Sequence, residues 1–125
     1  MGKSESEVEA VRHAIQQYID GSYSGSVDTL RKVFHTKASM AGYLQGQLVI
    51  GTPGPFFADI EKHPPMAESG APYKAEIKSV DVAGQIATVI LVETGFFGVI
   101  NFTDYFHLLK EHGEWKIISK TFTSE

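Results

Sequence analysis

The second half of the chain is a succession of strand-patterned segments joined by turns too short to hold a helix. Residues 73–82, 85–94, 98–110 and 114–123 are rich in β-branched and aromatic side chains. Between them stand Ala83-Gly84, residues 95–97 and Glu111-His112-Gly113. A parallel crossover needs about a dozen residues or more, so these connections predict an antiparallel meander. The segment IATVILV, residues 86–92, is apolar on both faces of its strand. One face is expected to meet helices. The other needs more of this chain or a second copy of it, and a homodimer through the sheet is expected.

The first third reads as helical. Ser4 and Glu7 form a capping-box pair, and Ser6 with Glu9 offers a second register. Val8, Val11, Ile15, Tyr18 and Ile19 then recur at helical spacing, which predicts an amphipathic helix of about four turns. Residues 21–26 (GSYSGS) end it, and Ser26 caps a shorter helix with Val27, Leu30, Val33 and Phe34 on its buried face. His35-Thr36-Lys37 closes that helix. Two short strands flank Gln45-Gly46, and Thr52-Pro53 opens a third helix that His63-Pro64-Pro65 stops. Residues 64–72 read as a surface connector or a cover over a pocket mouth. The plan is α+β: helices first, then a curved antiparallel sheet.

Composition excludes several functions. A chain of 125 residues is one domain, here 1–125, with room for a core and a modest pocket. Its formal net charge is -4, and its two arginines are Arg12 and Arg31. No basic field for nucleic acid or an anionic membrane is present. With no cysteine, disulfides, thiol catalysis and cysteine-based metal sites are ruled out. No histidine-rich metal motif or phosphate loop occurs, and neither a metal nor a cofactor is expected. The polar N-terminus and the lack of a long apolar run make the cytoplasm the expected location.

The chain resembles the nuclear transport factor two-like superfamily, also called SnoaL-like or cystatin-like, and within it the Putative lumazine-binding branch. The residues that carry this are the paired helices between Val11 and Phe34, Phe57 after the TPGP turn, and NFTDYFHLLKEHGEWKIISKTF, residues 101–122. The resemblance implies a cone-shaped α+β barrel, with a bent sheet wrapped around the N-terminal helices and a central cavity. It also implies dimers through the sheet. It says little about chemistry, because the fold supplies a pocket and the residues must supply a reaction. Residues 18–41 are further similar to the opening of ketosteroid isomerases. In that comparison the oxyanion tyrosine falls on Tyr18, the aspartate base on Gly42, and the second oxyanion acid near Tyr105. Glycine cannot move a proton, so the steroid isomerase mechanism is not expected.

The catalytic candidates are Asp104, His107, Tyr18 and His35. Asp104 interrupts Phe102 and Phe106 on one strand face, where a carboxylate must be hydrogen-bonded, paired or a base with a raised pKa. Its plainer reading is an ion pair or an open sheet surface. His107 suits a general base near neutral pH, or is an exposed or interface histidine. Tyr18 suits an oxyanion donor, or is a core tyrosine with a satisfied hydroxyl. His35 caps the second helix or approaches the cavity. A turn centred on His112-Gly113 places Tyr105 opposite Lys120, His107 opposite Ile118 and Asp104 opposite Thr121, unless a bulge shifts the register. Lys120 reads as a solvated or ion-paired side chain rather than a catalytic amine.

Tyr18, Phe34, Met40, Phe57, Tyr105 and Trp115 are the candidate ligand contacts. Tyr43, Phe56, Phe96 and Phe97 read mainly as core or interface, with a subset of these aromatics as candidate cavity lining. Three functions follow. One is a binding protein for a small hydrophobic ligand, with no reaction. The second is a lyase- or isomerase-like enzyme moving a proton on a small hydrophobic carbonyl compound. The third is a structural or protein-binding homodimer with a filled cone.

Overall fold

A computed structural model describes residues 3–125, with side chains from Glu5 onward, so the Ser4 cap lies outside the described side chains. Four helices and six strands follow in the order α1 (Lys3–Ser24), α2 (Val27–Val33), β1 (Phe34–Leu44), β2 (Gln47–Gly51), α3 (Gly54–Lys62), α4 (Met66–Ser69), β3 (Lys74–Ala83), β4 (Ile86–Phe96), β5 (Ile100–Glu111) and β6 (Glu114–Ser124). The strands form one sheet in the order β2-β1-β6-β5-β4-β3. It is curved and unclosed, with β2 and β3 as edges, and the α+β cone expected from the sequence is present.

Helix α1 supplies the core stripe. Val11, Ala14, Ile15 and Tyr18 are buried along it, at the spacing one helix face requires. The helix continues through Gly21, where α2 packs so closely that a Cβ would lie 3.1 Å from Leu30. Gly25, at φ +73°, ends it. Ser26 caps α2 by accepting the Thr29 N–H at 3.2 Å. Strand β1 then begins at once with Phe34 in extended conformation, so His35 and Thr36 lie in β1 and do not close the helix.

The meander β3-β4-β5-β6 is antiparallel throughout, as the short turns require. The contact between β1 and β6 is parallel, which the long stretch from β2 to β5 between those neighbours permits. Alternation sends Ala87, Val89, Leu91 and Glu93 of β4 inward, with Phe102, Asp104, Phe106 and Leu108 of β5. The opposite face of β4 is half-buried at Thr88, Ile90 and Val92.

The expected β5–β6 pairing holds only near the turn. Leu108 faces Ile117, but His107 faces Ser119, because an extra β6 residue enters there. Beyond this bulge every partner moves by one: Phe106 faces Lys120, Tyr105 faces Thr121 and Asp104 faces Phe122. The bulge turns Lys120 inward, where it is 4% exposed.

Residues 64–72 contain the one-turn helix α4. Met66 is buried, and its Sδ accepts the Phe97 N–H at 3.1 Å. This segment is fastened to the β4–β5 turn and contributes nothing to the cavity lining described below. Among the described residues, no helix is long and apolar enough to cross a membrane.

Candidate functional site

A cavity of about 280 Å³ lies between α3 and the concave face of the sheet. This is just below the common range of small-molecule pockets, about 300–1,000 Å³. Its wall is mostly apolar: Met40 and Leu44 from β1, Phe56 from α3, Phe96 and Phe97 before β5, Phe102 from β5 and Phe122 from β6. Thr52, Asp59 and His63 also line it, and all three are solvent-exposed, which marks the mouth. At the mouth the His63 ring stacks on Phe97 with centroids 4.0 Å apart, and its Nδ1 donates to the Asp59 carbonyl at 2.8 Å. A larger groove of about 520 Å³, beside Trp115 and Lys116, lies toward the other end of β5. No buried charge lines it, whereas the smaller cavity ends on one.

That charge is Lys120, the one buried lysine among the described residues. Its Nζ lies 4.7 Å from the Phe56 ring centroid, 5.2 Å from Phe122 and 5.9 Å from Phe102, all cavity-lining rings. Such faces stabilise a cation where water cannot reach it. Behind the lysine, its ammonium donates to the Tyr18 hydroxyl at 2.8 Å and stands 3.9 Å from Asp104 Oδ1. Tyr18 donates onward to Glu93 Oε1 at 3.5 Å, and Tyr73 donates to Glu93 Oε2 at 2.5 Å.

Two fully buried carboxyls and one ammonium therefore share this floor. Burial pushes the Glu93 pKa well above the usual carboxylate range, and the Asp104 charge and a hydrogen bond to Asp104 push it further. Lys120 and Tyr73 oppose that shift without reversing it. Counted as two carboxylates, neither could donate to the other, and both Asp104 oxygens would lack a donor. A proton held by Glu93 supplies one. Glu93 is then uncharged beside the Lys120–Asp104 pair. Burial, followed by the neighbouring Glu93 and Asp104 carboxyls, also raises the Tyr18 pKa well above its ordinary value, so this phenol stays protonated.

The predicted site residues separate into groups. Met40 lines the cavity. Asp104 and Tyr18 sit behind its floor; Tyr18 is fully buried, and its hydroxyl is engaged by Lys120 and Glu93. Phe34 and Phe57 pack on each other at 5.5 Å, outside the cavity lining. Tyr105 and His107 alternate away from Asp104, onto the outer face; Tyr105 is 54% exposed and His107 contacts Ser119 at 3.3 Å. His35 pairs with Glu111 at 3.1 Å. Trp115 lines the other groove and points its Nε1 at Glu7, 3.5 Å away. The structure thus brings Tyr18 and Asp104 together and leaves His35 and His107 apart from them.

Sequence reasoning missed Glu93, and it read Lys120 as solvated or ion-paired: the ion pair with Asp104 is present, but the expected partner Tyr105 is replaced by Phe106. The signal for Glu93 was available: it continues the alternation Ala87, Val89, Leu91 on the inward face. Lys120 faces inward only because of the bulge, which nothing in its own neighbourhood announces.

Gly42, where the isomerase base would fall, faces Phe122 across the parallel pairing. A Cβ there would collide with the Phe122 carbonyl oxygen and lie 2.7 Å from its ring. No carboxylate fits at that position without moving β6.

Known proteins share this plan. The chain is 27% identical over 122 residues to Aldolase FrzH of Cladobotryum sp, covering 95% of this chain and 92% of that protein. An NTF2-like protein of unknown function from Shewanella baltica OS155 superposes with a TM-score of 0.86 at 25% identity, covering 100% of this chain and 98% of that one. A ketosteroid isomerase-like protein from Erwinia carotovora atroseptica superposes with a TM-score of 0.68 at 15% identity, covering 94% of this chain and 95% of that one, a likeness of fold alone. The family described as Putative lumazine-binding matches residues 6–123, and with that match over nearly its whole length the chain belongs to this family of the NTF2-like superfamily.

Proposed function

We infer that the protein binds a small apolar molecule bearing one carbonyl group, with the hydrocarbon part between Met40, Phe56, Phe102 and Phe122 and the oxygen on Lys120 Nζ. The observation that carries this reading is the lysine: one buried cation at the inner end of a mostly apolar wall whose other polar groups lie at the mouth. Apolar area supplies most of the affinity, and the single donor fixes orientation. A thermal-shift series with cyclohexanone, benzylacetone and their hydrocarbon analogues tests it. Binding raises Tm as ligand concentration passes Kd. The ketones are expected to stabilise the protein more than the hydrocarbons, and Met40→Trp, which fills the cavity, is expected to remove the shift. Equal shifts for ketone and hydrocarbon overturn the role of Lys120.

A reaction is the second reading, favoured by the buried charge cluster and by the name of the relative FrzH, an aldolase. A lysine that polarises a carbonyl makes the neighbouring carbon acidic, and a carboxylate behind it can carry the proton. This is general acid/base chemistry on a small carbonyl compound. Asp104, Lys120 and the protonated Glu93 are its machinery, and Tyr18 positions the lysine.

The outer sheet face is the proposed homodimer surface. Tyr43, Leu48 and Tyr105 are 52%, 58% and 54% exposed, and Ile90 lies directly opposite Tyr105. An apolar strip of this kind across several strands marks an interaction surface.

A further inference from the structure

We propose that Lys120 is a covalent nucleophile, which condenses with the carbonyl of a ketone or aldehyde in the cavity to form a protonated Schiff base, with Asp104 as its proton carrier. This rests on the ligand reading above and goes beyond it, since a hydrogen bond from Lys120 would suffice for binding.

Three features support the step. First, Lys120 is the buried lysine and lies on the cavity wall, so a bound carbonyl meets its Nζ in an apolar, water-poor setting. Secondly, Asp104 Oδ1 stands 3.9 Å from Nζ. With the Glu93 proton held by one Asp104 oxygen, the other is left to accept a proton from the ammonium. That transfer converts a buried ion pair into two neutral groups, so the cost of burying charge does not oppose it. Thirdly, the aromatic faces of Phe56, Phe102 and Phe122 surround the nitrogen at 4.7–5.9 Å. They favour a cation there whether it is an ammonium or an iminium.

The step balances as follows. Asp104 takes one proton from the Lys120 ammonium. The nitrogen lone pair then attacks the carbonyl carbon, the C=O π pair moves to oxygen, and a proton passes from nitrogen to that oxygen. Asp104 returns its proton to the resulting hydroxyl, the C–O bond breaks, and water leaves. The product is an iminium ion paired with the Asp104 carboxylate. Asp104 can next remove a proton from the adjacent carbon: the C–H pair becomes the C=C bond of an enamine, and the C=N pair returns to nitrogen. Glu93 keeps its proton throughout, so Asp104 is the one carboxylate that cycles.

Reductive trapping tests this in the full-length protein. Benzylacetone or cyclohexanone is added with sodium cyanoborohydride, intact mass is read, and the modified lysine is mapped by peptide sequencing. Ligand-observed NMR of the same samples without reductant reports binding. The expected result is a single adduct on Lys120, weighing one probe less one oxygen. Asp104→Asn is expected to slow its formation by about 100-fold, the scale of one proton carrier. Lys120→Arg, which removes the primary amine, is expected to form no adduct. Binding without an adduct, or with label spread over exposed lysines, overturns the Schiff base and leaves the ligand reading standing. Neither binding nor an adduct with either probe overturns both.

Discussion

The Lys120 ammonium stands 3.9 Å from the Asp104 carboxylate, inside the protein, with 4% and 0% of the two side chains exposed. Buried pairs of this sort gain little over well-packed apolar residues, yet breaking one by removing a partner strands a charge. Lys120→Met is therefore expected to cost about 3–5 kcal/mol. Adding Asp104→Leu should recover much of it, because the double variant strands no charge beside the already protonated Glu93. Urea denaturation of the wild type, both single variants and the double variant checks this as a cycle. Additive losses would mean that the two groups do not act as a pair.

Glu93 makes stability depend on pH in an unusual direction. Its pKa is raised in the folded protein, first by burial and then by Asp104. The folded state therefore holds a proton that the unfolded chain releases above its ordinary carboxylate pKa. Stability from this group is complete below about pH 4.3 and falls as pH rises toward the folded pKa, by ~1.4 kcal/mol per pH unit. Glu93→Gln keeps the shape, carries no titrating proton and cannot ionise. The variant is expected to lose that slope as pH rises above the ordinary carboxylate range, when wild type and variant are compared by denaturation at each pH. Parallel curves would show that Glu93 is ionised in the folded protein.

The same two residues show where sequence reading stops. Short turns, with His112 and Gly113 at positive φ, made the antiparallel meander legible, because turn length is a local property. Tyr18 and Asp104 were legible as candidates because a polar group among apolar neighbours is also a local pattern. The cluster itself was not. Glu93 and Asp104 meet as diagonal neighbours across β4 and β5, and Lys120 joins them only through the bulge before it. His107 and Tyr105 read as site residues because no sequence pattern says which face of β5 turns inward. The structure answers that through the burial of Phe102, Asp104 and Phe106. The parallel β1–β6 contact was equally hidden, as it joins segments from opposite ends of the chain.

Gly42 is a position where a single methyl group should be costly. Facing Phe122 across two parallel strands, it leaves no room for a Cβ beside the Phe122 carbonyl. Gly42→Ala is expected to destabilise by about 1–3 kcal/mol through this overpacking, and Gly42→Asp by more, since a carboxylate would also need solvation. The midpoint of urea unfolding measures both. A wild-type midpoint for Gly42→Asp would show that β6 yields readily, and would reopen this position to the base that the isomerase comparison places there.

The outer sheet face leads to an expectation about assembly. Tyr105 and Ile90 stand opposite one another on neighbouring central strands, and Tyr43 and Leu48 continue the apolar surface across β1 and β2. Two copies facing each other through this strip would bury the side of β4 that the helices leave half-covered. A large aromatic at the centre of such a contact commonly contributes about 2 kcal/mol or more. Tyr105→Glu also places like charges against each other when the face is self-complementary. The wild type is expected to sediment as a dimer at micromolar concentration and Tyr105→Glu as a monomer. Tyr105 points away from the cavity, so the variant should keep the ketone-dependent Tm shift. A wild type that sediments as a monomer removes the dimer. A variant that loses ligand binding together with dimerisation would show that the outer face supports the cavity, which its position across the sheet from Lys120 does not lead one to expect.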